Sequence, residues 1–433
     1  MWRLFMILFR NAVLLLAAAI APRALASEAR METLKSSPGI TDETDVFAFP
    51  GAISEYNLAL VELGTANNVE AYGGVLKRVG KMGLGVVVSR EEMVMTAPGL
   101  STISLVDDWL ARAASNDDAK AILPSPERPV EVLLGMDVGG GNLGFKIGFA
   151  TYRDERETTT GATDKDDAKA EQVDVGVGYS TGNADNRTDV GFHVGALGTV
   201  KRTRETAATE TSHSYKRGAE MVVSVRNLGK MGQGRRFVGA SILTRSPEVK
   251  ADNGTTDEEK KFKEQGVNLQ GGYVMLPAAN VSVSAGLGLL YFKSQGPIIA
   301  TNTGVGSTGT TPATPSILAS PDDDVKKTTN ILYSDLAVEA PVTESIGILG
   351  GMRYMFYGST KTEDGISAGE PKTEESVDET PDVALWSLGL FYAQGPMRLD
   401  ATYTKEFLHS GPYLLTGDVT NNVFGRISLT YKI

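Results

Sequence analysis

The residues of this 433-residue chain that could do chemistry are few and scattered. Its three histidines, His193, His213 and His409, stand apart along the chain without the spacing of a metal-ligand motif. His193 lies between Phe192 and Val194 and reads as a strand residue pointing into a lumen. No Gly-x-Ser-x-Gly elbow occurs, and no serine comes with a local acid–histidine arrangement, so hydrolysis lacks an activated nucleophile. Gly139-Gly140-Gly141 superficially suggests a phosphate cradle, but no Lys–Ser/Thr follows it and no helix opens from it; a tight hairpin turn accounts for it. Asp322-Asp323-Asp324 lacks the spaced oxygen ligands of a calcium loop and reads as surface charge. With no cysteine either, the sequence points to no catalytic residue, cofactor or metal.

What is left is charge set into alternating apolar stretches. Lys146, Asp174, Arg353, Arg398, Asp400 and Arg426 each have apolar neighbours of the opposite parity, which makes them candidates for lining a pore. Ionic groups on a lumen wall hold water and tune an ion's passage, whereas the same groups facing lipid are costly. Arg153 and Lys201 fall near the outer ends of such stretches.

The elements that must carry them are β-strands. In Asn422–Ile433, Val423, Gly425, Ile427, Leu429, Tyr431 and Ile433 share one parity, while Arg426, Ser428, Thr430 and Lys432 share the other. Period two sends these sets to opposite faces, one for lipid and one for a wet interior. The pattern recurs in Trp386, Leu388, Leu390 and Tyr392, in Val281 through Tyr291, and in Ile346 through Phe356. Sixteen strands are expected, at 53–62, 68–77, 83–91, 129–138, 142–152, 171–180, 187–199, 213–225, 235–245, 265–276, 281–293, 327–339, 344–357, 383–393, 397–406 and 421–433; fourteen is the next count.

The connectors alternate too. Gly139–Gly141, Thr181–Asn186, Arg226–Arg235 and Ala393–Pro396 are short or turn-rich, whereas Arg153–Ala170, Val200–Ser212 and Ser294–Lys326 are long and polar. An up-and-down barrel inserted from one side has this asymmetry of short periplasmic turns and long outside loops. One long loop, around Leu100–Ser115, sets Ile103, Val106 and Leu110 on a helical face with Trp109 nearby, a candidate lid or constriction.

Export fits this reading. Arg3 and Arg10, the apolar run 12–20 and the small-x-small site Ala24-Leu25-Ala26 are expected to form a signal peptide over residues 1–26, followed by a periplasmic segment at 27–44 and the barrel at 45–433. Loss of Arg3, Arg10 and Arg23 takes the formal charge from −11 to about −14, a poor balance for binding nucleic-acid phosphates. Beyond the leader no run of 18 apolar residues occurs, which excludes a helical membrane bundle.

Over about residues 45–433 the chain resembles porin-like bacterial outer-membrane barrels, on its alternating strands, its asymmetric connectors and the terminal strand from Asn421. That group commonly ends in an aromatic residue read by the barrel-assembly machinery. Here the last residue is Ile433, with Tyr431 at the matching parity. The expectation is an all-β transmembrane antiparallel up-and-down β-barrel in the outer membrane, with lipid, the assembly machinery and small solutes or ions as partners and its oligomeric state open. Passive diffusion of small hydrophilic solutes or ions is the leading function. The alternatives are uptake of hydrophobic compounds through a plugged lumen with an apolar pocket, and a structural or adhesive barrel without an open pore.

Overall fold

Alternation becomes inside and outside in the computed structural model of the chain, which describes residues 28–35, 37–64, 71–90, 127–158, 164–183, 186–205, 210–252, 257–278, 281–297, 324–364, 374–379, 383–403 and 424–433. Residues 1–26, expected to form a signal peptide, and the candidate lid residues Ile103, Val106, Trp109 and Leu110 lie outside these ranges.

The strands follow in chain order: β1 (Leu58–Gly64), β2 (Tyr72–Val79), β3 (Met82–Val88), β4 (Glu127–Val138), β5 (Gly141–Thr158), β6 (Asp164–Gly182), β7 (Asn186–Glu205), β8 (Glu210–Lys216), β9 (Glu220–Met231) and β10 (Gly234–Arg245). They continue as β11 (Glu248–Asp252), β12 (Asp257–Lys261), β13 (Lys263–Ala278), β14 (Val281–Pro297), β15 (Asp324–Pro341), β16 (Ile346–Asp364), β17 (Glu374–Glu379), β18 (Val383–Gln394), β19 (Met397–Tyr403) and β20 (Phe424–Lys432). All pairings are antiparallel. Sixteen strands make the wall, since β7 also pairs with β9, β10 with β13 and β16 with β18, while β8, β11, β12 and β17 extend it on the long-loop side. The ring closes where Ala59 of β1 faces Tyr431 of β20.

The outer surface is apolar. On β5, Phe145, Ile147 and Phe149 are exposed, Ile147 at 54 %, whereas Lys146 between them is 0 % exposed. The same inversion runs along β3, where Met82, Leu84, Val86 and Val88 are exposed and Gly83, Gly85 and Val87 are buried. A closed barrel leaves no edge unpaired, and an outward apolar band over a polar interior is the arrangement that a lipid bilayer selects. The protein is therefore an outer-membrane β-barrel of sixteen strands. At the short end, Val138 pairs with Gly141 around Gly139 and Gly140, both at positive φ (59° and 85°), a two-residue turn that side chains would strain.

Several boundaries differ from the sequence expectation. The stretch 53–57 belongs to no strand; Pro50–Glu55 is a 3₁₀ helix whose Ile53 turns into the lumen, and the strand begins at Leu58. The strand expected at 213–225 runs instead from Glu220 to Met231, because the turn forms at Gly232, which takes positive φ. Much of the polar stretches Arg153–Ala170 and Val200–Ser212 is strand, with β5, β6 and β7 paired in register beyond the apolar band. Polarity there marks sheet with water on it, not loop. Of the segment expected in the periplasm at 27–44, the described residues 28–35 and 37–44 pack inside the wall.

Candidate functional site

The wall's inward side chains meet a segment of the same chain. Residues 28–55 comprise a short helix α1 (Glu28–Thr33), a one-turn helix α2 (Asp45–Ala48) and the 3₁₀ helix at Pro50–Glu55. Their contacts pass around the barrel in reverse strand order. The amide of Ala29 donates to Glu62 of β1 and Ser428 of β20. Thr33 shares a 2.8 Å hydrogen bond with Thr402 of β19, and its carbonyl accepts from Ser387 of β18 at 2.7 Å. Arg353 of β16 donates to the Lys35 carbonyl at 3.1 Å, and Ser37 meets Ser284 of β14 at 2.9 Å. Asp45 reaches Arg226 of β9, the Ala48 carbonyl accepts from His193 of β7 at 2.8 Å, and Ile53 lies on Gly135 of β4. The chain then enters β1, having completed one circuit near the short turns.

Glycines of the wall make room for it. A Cβ on Gly144 would stand 2.0 Å from the Pro50 carbonyl oxygen, on Gly191 1.9 Å from that of Ala48, and on Gly351 2.0 Å from that of Thr33. These are collisions with backbone, so no rotamer change relieves them. The seat is moulded to the segment's main chain, strand by strand.

Charge then fixes it. Arg226 donates to both oxygens of Asp45 at 2.8 Å and to Asp189, which Arg187 also holds at 2.7 Å; Arg187 reaches on to Glu55. On the opposite side Arg30 donates to Glu339 of β15 at 2.6 Å, and Arg398 joins the same carboxylate at 2.9 Å while holding Asp400 at 2.8 Å. Nearly all of these groups are buried. A buried charge persists only when paired and hydrogen-bonded, and here Arg30, Asp45 and Glu55 of the segment each find a partner on the wall. Within the segment, burial and the neighbouring Asp45 push the Asp42 carboxyl up to about 7 against the opposing pull of Arg30. Burial likewise raises Glu55, opposed by Arg187.

The six candidate pore residues all lie on the inward parity. Lys146 pairs with Glu131 at 3.3 Å, and Glu131 also meets Arg90, whose guanidinium stacks 3.8 Å over Phe47 of the segment. Asp174 accepts from Arg217 at 2.6 Å. Arg353 forks onto Asp335 at 2.7 and 2.9 Å and stacks over Tyr333. Arg426 stands 3.6 Å from Glu32 and 3.9 Å from Glu62. Arg398 and Asp400 form one cluster with Arg30 and Glu339. The other four are distributed around the wall. Sequence reasoning missed Arg30, Asp45, Arg187, Asp189, Arg226 and Glu339, which hold the segment.

Above this level the lumen changes character. Val222 of β9, Leu243 of β10, Leu290 and Phe292 of β14 and Tyr333 of β15 form a buried cluster, with Ile331 and Met355 against it. All occupy inward positions about nine residues or more from the short turns. A second apolar cluster joins Phe47 and Ile53 of the segment to Leu58, Leu60, Tyr72, Leu76 and Val87 of β1–β3.

No family model matches the chain, and no characterised protein matches it in sequence. Solved structures do align with it. A FadL homologue of Pseudomonas aeruginosa is 9 % identical, covering 95 % of this chain and 99 % of its own at a TM-score of 0.36. The monoaromatic hydrocarbon channel CymD is 8 % identical over 96 % of this chain and 98 % of its own, at 0.32. The ferric yersiniabactin uptake receptor FyuA of Yersinia pestis is 7 % identical over 87 % and 79 %, also at 0.32.

Proposed function

We propose that the barrel is an uptake channel for hydrophobic compounds and not an open passive porin. The observation that carries this reading is the composition of the lumen: a self-derived plug at the short-turn end, and above it an inward-facing apolar cluster around Leu290 and Phe292. Water-filled passages are lined by polar groups left free to interact with solute, but here the lower wall's ionic groups are engaged with the plug or with one another. Apolar side chains facing a lumen instead offer a concave surface that gains from removing an apolar ligand from water. Ile103, Val106, Trp109 and Leu110 are the sequence's candidates for a lid or constriction of the lumen.

Proteoliposomes separate the two readings. The expected result is no swelling in arabinose or glycine and no stepwise conductance in planar bilayers, together with saturable binding of a monoaromatic or alkyl fluorophore. Swelling at the rate of an open channel, in protein shown to be folded by its heat-dependent gel mobility, would sink the proposal.

A further inference from the structure

The outer face of the wall carries a row of cations just beyond its lipid-facing band. On β5 the outward parity runs Ile147, Phe149, Thr151 and then Arg153; on β6 it runs Val175, Val173, Glu171 and then Lys169. On β7 it continues from Thr199 to Lys201. Arg153 stands directly opposite Lys169, and Lys169 directly opposite Lys201. Lys216 of β8 faces Thr199, one diagonal step from Lys201. The inward parity at this level is taken by Tyr152, Asp154, Ala168, Ala170, Val200 and Arg202, so the three cations point away from the lumen.

Directly opposed residues on one face of an antiparallel pair have Cβ atoms about 4.5–5.5 Å apart, and like charges there destabilise the sheet. Glu155 and Glu171 pair with Arg153 and Lys169 within their own strands, but about half or more of each of these side chains is exposed, and such pairs contribute little. A row of three opposed cations is stabilised by an anion that bridges them. Its position decides which anion: outward-pointing side chains next to the last lipid-facing residues lie in the headgroup layer. The row is on the long-loop side, and in an outer membrane that side faces the outer leaflet.

We propose that Arg153, Lys169 and Lys201 form a binding site for the phosphate groups of the phosphorylated glycolipid of the outer leaflet. The Arg153 guanidinium supplies a planar fork for two phosphate oxygens, and the two lysines add compact charges at strand spacing. Exchange of the exposed glutamate partners for a phosphate costs little, because those glutamates return to water.

The full-length barrel in phosphatidylcholine nanodiscs doped with bisphosphorylated lipid A provides the test, read by native mass spectrometry after detergent release. Wild type is expected to retain lipid A about tenfold more than Arg153→Glu/Lys169→Glu/Lys201→Glu, a difference of about 1.4 kcal/mol. The charge-preserving Arg153→Lys/Lys169→Arg/Lys201→Arg variant should retain it, and dephosphorylated lipid A should not be held. Should the triple glutamate variant fail to show the folded band on a gel, Lys201→Gln alone is read, with a smaller loss of the same sign expected. Equal retention by wild type and the folded charge-reversed variant overturns the site. So does equal retention of dephosphorylated lipid, or displacement by free inorganic phosphate, which would mark a simple anion site and not one for a lipid headgroup.

Discussion

Strand β9 passes through two different lumens. Glu220, Val222, Ser224, Arg226 and Leu228 all face inward, yet Arg226 is locked onto Asp45 of the plug while Val222, four residues further from the short turn, belongs to the apolar cluster with Leu290 and Phe292. One parity thus serves two purposes at two heights. Polar inward residues in the lower half are matched to a protein partner and not to water, and above them the inward parity turns apolar. A lumen's chemistry is therefore set level by level, and parity alone does not reveal it.

Emptying the lower half has the largest expected effect. Deletion of residues 28–55 should change the expected silence in planar bilayers to stepwise conductance, since the wall's ionic groups then face water. Silence from a correctly inserted deletion variant would show that something other than this segment closes the lumen. Gly144→Val with Gly191→Val should act in the same direction, because both new Cβ atoms meet segment carbonyls at about 2 Å.

Next in size is the cost of a single lost partner. Arg226→Ala removes the buried ion-pair partner of Asp45 and leaves Asp189 with Arg187 alone, and should lower stability to denaturant by about 3–5 kcal/mol. Arg78→Ala, which removes an exposed 3.4 Å pair with Asp137, should cost no more than about 1 kcal/mol. Equal shifts in the two unfolding midpoints would mean that the buried network is not what holds the plug. The upper half is probed by Phe292→Ala, expected to weaken binding of an apolar fluorophore about tenfold, or about 1.4 kcal/mol, with the plug's protection from protease unchanged. Unchanged affinity would remove the cluster around Phe292 from the ligand site.

How much of this the sequence revealed follows from the range of each interaction. The wall was legible because period two is local: Ile147, Phe149 and Lys146 declare their faces within four residues, and sixteen strands could be counted from such runs. The plug was not, since Arg30 and Glu339 are 309 positions apart and nothing near Arg30 signals an acid on β15. Its helices are too short to show a period, and its mixed charge reads as solvated chain. Two signals were present all the same. Gly144, Gly178, Gly191 and Gly351 fall on the inward parity near the short turns, where a groove is needed. Leu290 and Phe292 break the polar parity of β14, whose preceding members are Ser282, Ser284, Gly286 and Gly288. Each departure from alternation marked a place where the lumen wall meets something other than water.

The smallest effect lies outside the lumen, on the β11–β12 hairpin, where the charge is exposed. Glu259 accepts hydrogen bonds from Lys250 and Lys261, which hold its carboxyl down to about 2. A depressed carboxylate contributes stability above its unfolded value, about 4.3, and loses that contribution as pH falls toward the folded value. Hydrogen exchange of the hairpin amides, corrected for intrinsic rate, should therefore be flat from pH 8 to pH 5 and should quicken slightly only as pH falls from about 4 toward 2. In Glu259→Gln that acid-range increment should vanish, because the titrating group is gone, while amides of Arg226 and Val222 in the wall stay protected throughout. An increment of the same size in both proteins would assign it to other carboxylates and leave the three-residue cluster without a measurable part in holding the hairpin.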